Sequence, residues 1–115
     1  MVNLDFLYDT EDDVLYISFA KDRRGMTLSL NDYVVLIFDP ATAQAKGLTI
    51  MNYAYLLQHD VSLPVSRLDE FPPAIQDAVW SILNRSPVDK YVRLQEPSSM
   101  RLAERVTLPD ILLAA

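Results

Sequence analysis

The chain is 115 residues long, about the length of one domain, and its 50% hydrophobic and 23% charged residues are an ordinary globular balance, unlike that of disordered chains. A formal net charge of −6 argues against broad attraction to nucleic acid, because phosphate binding needs clustered Lys and Arg. The absence of cysteine excludes a disulfide framework, a thiolate metal centre and a cysteine nucleophile, and fits a reducing compartment.

The first elements are strands. Leu4, Phe6 and Tyr8 alternate with Asp5 and Leu7, the period-two pattern of a strand. Asp9, Thr10, Glu11 and Asp12 supply turn chemistry, since Asp carboxylates accept bonds from nearby backbone N–H groups. Alternation then resumes, with Leu15, Ile17 and Phe19 on one face and Val14, Tyr16 and Ser18 on the other. A charged loop, Lys21, Asp22, Arg23, Arg24 and Gly25, leads to a third run in which Met26, Leu28 and Leu30 point one way.

Asn31 and Asp32 suit the positive φ of a tight hairpin turn. Residues 33–38 are apolar on both faces and are expected to form the most buried, central strand, with Val35 and Ile37 in the core beside Leu15 and Ile17. Asp39 and Pro40 end that strand, and residues 47–51 read as a fifth. Tyr53, Leu56 and Leu57 recur at helical spacing and predict a short helix on the sheet.

The opening Tyr8-Asp9-x-Glu11-x-Asp13-x-Leu15-Tyr16-Ile17, the run at 34–39 and Gly47-Leu48-x-Ile50 together carry a resemblance. Residues 4–51 resemble the domain of unknown function 2283 family. The resemblance implies an antiparallel sheet and no established activity, and some members of that family are thought to act as antitoxin-type partners of toxin-like proteins. The chain differs from the family by a C-terminal extension.

That extension occupies 59–115 of an expected single domain whose β-rich core is 1–58. A helix is expected over 72–84, opening at Pro72 and Pro73 and carrying Ile75, Ala78, Val79 and Ile82 along one stripe. Burial of three such aliphatic side chains contributes about 1.5–3 kcal/mol each, enough to dock the helix on a sheet. Residues 91–94 read as a further strand, 101–108 are ambiguous between helix and strand, and Pro109 and Asp110 suit a last helical turn carrying Ile111, Leu112 and Leu113.

Weighed as chemistry, the constellations are sparse. Asp5, Asp9, Glu11, Asp12 and Asp13 offer oxygens to a hard cation, but an EF-hand loop counted from Asp9 would need Gly and Glu where Val14 and Ala20 stand. The cluster is read as a solvated turn, with no metal or cofactor expected. His59 is the only histidine; Asp60, Ser62 and Ser66 stand near it, with no Gly-x-Ser-x-Gly elbow, so it is read as a surface residue at a helix end. Lys21, Arg23 and Arg24 form the one basic knot and are read as a solvated loop.

The expected fold is α+β: a small twisted antiparallel sheet of about five strands with helices packed on one face. The expected function is a non-enzymatic interaction module, a homodimer or the partner of another protein, with Trp80, Ile111, Leu112 and Leu113 as interface residues. A ligand-binding or enzyme domain with a pocket between sheet and extension, and the antitoxin-type partner, are the alternatives. The opening residues lack the basic and apolar regions of a signal peptide, and no apolar run nears the ~20 residues of a membrane-spanning helix, so a cytoplasmic setting away from membranes is expected.

Overall fold

The computed structural model describes residues 5–22, 24–59, 61–65, 68–85, 87–95, 99–102 and 112–114. Five strands pair antiparallel in one sheet: β1 (Asp5–Asp9), β2 (Val14–Ser18), β3 (Met26–Ser29), β4 (Val34–Asp39) and β5 (Gln44–Met51). A short helix α1 (Tyr53–His59) follows. Strands β6 (Leu63–Pro64), β7 (Val92–Gln95) and β8 (Ser99–Leu102) form a second sheet in the order β6-β8-β7. Between them lies helix α2 (Pro73–Leu83), flanked by 3₁₀ turns at Leu68–Glu70 and Val88–Lys90. A last strand β9 (Leu112–Ala114) joins the first sheet, whose order is β3-β4-β5-β2-β1-β9.

The α+β class and the five-stranded antiparallel sheet agree with the sequence reading. Its predicted face assignment holds in β2: Leu15 and Ile17 are fully buried, whereas Tyr16 keeps 36% of its exposure. In register, Phe6, Ile17, Leu48, Leu36 and Leu28 make one row across the inner face, and Tyr8, Leu15, Ile50 and Val34 make the next. These side chains form the core with Val79, Ile82 and Leu83 of α2, Val92 of β7 and Met100 of β8. The covering layer is therefore helices together with a second sheet, which the sequence reading did not anticipate in this form.

Strand β4 corrects two expectations. It lies next to the edge strand β3, and β5 is the centre of the five antiparallel strands. Its buried residues are Val34, Leu36 and Phe38, while Val35 and Ile37 lie on the opposite face and stay half-buried. Both sets are apolar, so periodicity alone could not choose between them; the register of Leu36 with Leu48 chooses.

Two hairpin turns share one construction. Asp9 Oδ1 accepts the backbone N–H groups of Glu11 (3.0 Å) and Asp12 (3.2 Å), and the turn closes at Asp13 with φ 56°. Asp39 Oδ1 accepts from Ala41 N–H (2.9 Å), and that turn closes at Ala43, also with φ 56°. Aspartate tolerates this left-handed backbone better than alanine does.

The turn at Asn31 is different from the predicted one. Positive φ among the described non-glycine residues falls on Asp13, Ala43 and Asn52, and Asn31 instead works through its side chain. Its Oδ1 accepts from the N–H groups of Tyr33 (2.8 Å) and Val34 (2.9 Å), and its Nδ2 donates to the carbonyl of Pro64 (3.1 Å). A buried asparagine thus ties the first sheet to β6.

Helix α2 begins at Pro73 and ends at Leu83, inside the predicted span, with Asn84 as its C-terminal cap. The predicted helical turn at the C-terminus is instead strand β9, parallel to β1, with Leu112 opposite Leu7 and Leu113 opposite Tyr8. A run this short cannot repay helix nucleation, while the open edge of β1 offers it unpaired backbone groups. Ile111 and most of the ambiguous stretch 101–108 lie outside the described residues.

Candidate functional site: the outer face of the sheet

The acidic turn is used for structure. Asp13 stands half-buried at the end of the first hairpin, where its Oδ1 accepts from Ala54 N–H (2.9 Å) and its Oδ2 from Tyr55 N–H (3.4 Å). Those N–H groups belong to the first turn of α1, which has no internal partners for them, and a carboxylate there also suits the helix dipole. The Tyr8 hydroxyl donates to Asp13 Oδ1 at 2.5 Å. Burial of the phenol, then the bond to Asp13 and its negative charge, push the Tyr8 pKa up to about 12. Tyr8 also meets the Tyr53 ring edge-on, with centroids 6.0 Å apart.

Two of the carboxylates considered for a cation are therefore occupied, Asp9 by its own turn and Asp13 by Tyr8 and α1. Glu11 and Asp12 are exposed. Among the described residues, no three His, Asp or Glu side chains gather as a metal site would require. The sequence reading saw the turn but not the role of Asp13; the signal available was an Asp five residues after a strand tyrosine.

Within the basic knot, Arg24 is paired. Arg24 and Asp22, both exposed, form a two-point contact, Nε to Oδ1 at 3.0 Å and Nη2 to Oδ2 at 3.1 Å. The guanidinium bonds hold the Asp22 carboxyl down at about 2. Arg23 lies outside the described residues. His59 ends α1 in solvent, its ring 4.3 Å from that of Tyr55, which is 56% exposed. Ser62 is exposed, and Asp60 and Ser66 lie outside the described residues.

The predicted interface residues sit on two different elements. Trp80 lies on α2, half-buried and packed against the core from the covering layer. Leu112 and Leu113 stand in β9, at the edge of the first sheet. The structure thus places Trp80 in the covering layer and these two leucines in a strand of the first sheet.

What it does collect is the outer face of the first sheet. One row runs Leu7, Tyr16, Thr49, Val35, Ser29 across β1, β2, β5, β4 and β3. A second runs Asp5, Ser18, Gly47, Ile37, Thr27, and a third holds Asp9, Val14 and Met51. Leu7 is 44% exposed and Tyr16 36%, while Val14, Val35, Ile37, Thr49 and Met51 are half-buried. In these rows the charged residues are Asp5 and Asp9, both on β1; Asp39 continues the alternation of Val35 and Ile37 in β4, and Lys46 stands at the bulge in β5.

The signal for this face was in the sequence, where Val14, Tyr16, Val35 and Ile37 are apolar at positions alternating with the core set. The second sheet, α2 and the 3₁₀ turns all lie on the inner side, with Tyr91 stacked on Phe19 and edge-on to Phe6. Among the described residues, no helix is long and apolar enough to cross a membrane. Comparison of the chain with family models, with curated proteins and with solved structures finds no match in any of the three.

Proposed function

We propose that the protein is a non-enzymatic protein-interaction module that self-associates. The observation that carries this reading is the outer sheet face, where Leu7, Val14, Tyr16, Val35, Ile37 and Met51 remain accessible. Accessible apolar side chains on adjacent strands make a contiguous patch, and such patches on folded domains mark interaction surfaces. Tyrosine at its centre is a favoured interface residue.

The dispersed titratable groups support the same reading. The strongly raised pKa, at Tyr8, is explained by burial of the phenol and its bond to Asp13, and the strongly lowered one, at Asp22, by its bonds to Arg24. Kinship with the domain of unknown function 2283 family is part of the proposal, supported by the quoted opening, in which Tyr8 and Asp13 hold each other.

Sedimentation equilibrium of the purified chain at micromolar concentration tests the proposal. A reversible dimer is expected, and a clean monomer up to a hundred micromolar would overturn self-association.

A further inference from the structure

We infer that two copies join edge to edge through β3, antiparallel about a two-fold axis at Leu28, so that their first sheets run on as one. This rests on the self-association reading and names the contact. It leaves the outer faces open and joins them into one surface across both copies.

The backbone of β3 is half used. Leu30 N–H donates to the Val34 carbonyl (2.9 Å), so in the β3–β4 register the alternate residues Leu28 and Met26 also bond to β4. Thr27 and Ser29 therefore turn their N–H and C=O groups to the free edge. The far side of β4 agrees: Met51 N–H donates to the Tyr33 carbonyl (2.7 Å), which assigns Val35 and Ile37, the register partners of Ser29 and Thr27, to β5. Among the described residues nothing bonds the outward groups of Thr27 and Ser29, and both residues are exposed.

Such an edge is a template for another strand, and proteins that avoid pairing blunt it with proline or charge. In the second sheet, edge strand β6 carries Pro64 and edge strand β7 carries Arg93. Strand β3 is Met26, Thr27, Leu28 and Ser29, with neither device.

Hydrogen bonding and charge choose the same register with a second copy. Leu28 opposite the partner's Leu28 makes Thr27 and the partner's Ser29 a hydrogen-bonded pair, and symmetry repeats it, giving four backbone bonds. Thr27 or Ser29 on the axis leaves one such pair inside the strand. With Leu28 on the axis, Thr27 meets the partner's Ser29 on the outer side and Met26 meets the partner's Leu30 on the inner, so like faces like. Arg24, two residues before β3, comes to the end where the partner's Asp32 stands three residues after it, and this contact also occurs twice.

Both charged residues are exposed. Asp22 of the same copy takes Nε and Nη2 of Arg24, which leaves Nη1, and Asp32 makes no hydrogen bond or ion pair among the described residues. With Thr27 on the axis, Asp22 would instead meet the partner's Asp32, and like charges across an interface are unfavourable.

Sedimentation equilibrium of the full chain and its variants tests the joint. Arg24→Asp and Asp32→Arg should each weaken the dimer about tenfold, because like charges then meet at both ends. Mixed in equal amounts, the two variants should form a heterodimer near wild-type strength, since each end again pairs Arg with Asp. Ser29→Pro removes an N–H that β4 does not use, so the variant should fold and its dimer should weaken about tenfold or more. The charge variants sit in solvent and decide the matter even where the proline disturbs β3.

Single charge variants that dimerise like the wild type, or a mixture that fails to recover, would overturn the register. A wild-type dimer left unchanged by Ser29→Pro and by both charge variants would overturn the β3 edge and leave self-association standing. A wild type that stays monomeric would overturn both.

Discussion

The two faces of the first sheet are built by alternate residues of the same strands, yet they have different fates. On the inner face Leu15, Ile17, Leu36, Leu48 and Ile50 are fully buried under α2 and the second sheet. On the outer face their immediate neighbours Val14, Tyr16, Val35, Ile37 and Thr49 keep contact with solvent. In β4 the chemistry of the two sets barely differs, since Val and Ile face one way and Val, Leu and Phe the other. What separates them is whether, among the described residues, an element lies on top. Apolar content in a strand thus does not choose between its faces, and only the covering layer does.

The comparison is broken most severely by deleting inner side chains. Leu15→Ala should cost about 2–5 kcal/mol, whereas Tyr16→Ala, one residue along, should cost less than about 1 kcal/mol in dilute monomer. Urea denaturation of both variants checks this, and equal losses would erase the distinction between the faces. Gly25→Ala reaches the inner face from outside. A Cβ there would lie 2.4 Å from the carbonyl oxygen of Phe38, and the backbone shift it forces should cost about 1–3 kcal/mol by the same measurement.

The rim where β1, β2 and α1 meet allows a finer test. Asp13→Ala removes the carboxylate that receives the first N–H groups of α1 and should cost about 1–2 kcal/mol. It should also lower the Tyr8 pKa from about 12, although burial will hold it above the usual 10.0. Folded Tyr8 keeps its proton to about 12, while the unfolded chain releases it near 10.0. The native state therefore binds more protons in that window, and its stability falls as pH rises from about 10 toward about 12. Tyr8→Phe should flatten that part of the profile relative to the wild type, measured by denaturation at stepped pH.

The smallest effect sharpens the comparison from outside the core. Ala43 closes the β4–β5 turn at φ 56°, where a side chain costs backbone energy that glycine avoids. Ala43→Gly should raise stability by about 0.5–1 kcal/mol, read as a higher melting temperature, with no change at either sheet face. A loss would mean that the contact of the Arg85 guanidinium with the Ala43 carbonyl depends on alanine there.

Much of this fold was legible in the chain. Alternation placed β1, β2 and β3, a run apolar on both faces placed β4, and proline with an aliphatic stripe placed α2 within a residue at each end. These are local properties, set by a side-chain period of two or 3.6 residues and by proline's missing N–H. Three things were decided only by tertiary structure. The face of β4 that enters the core depends on its register with β5, because its two sides are nearly equal in apolarity. The role of Asp13 depends on a helix more than forty residues away, whose unpaired N–H groups its carboxylate receives. The C-terminal strand depends on the open edge of β1, since three residues have no conformation of their own strong enough to resist a neighbour offering backbone hydrogen bonds.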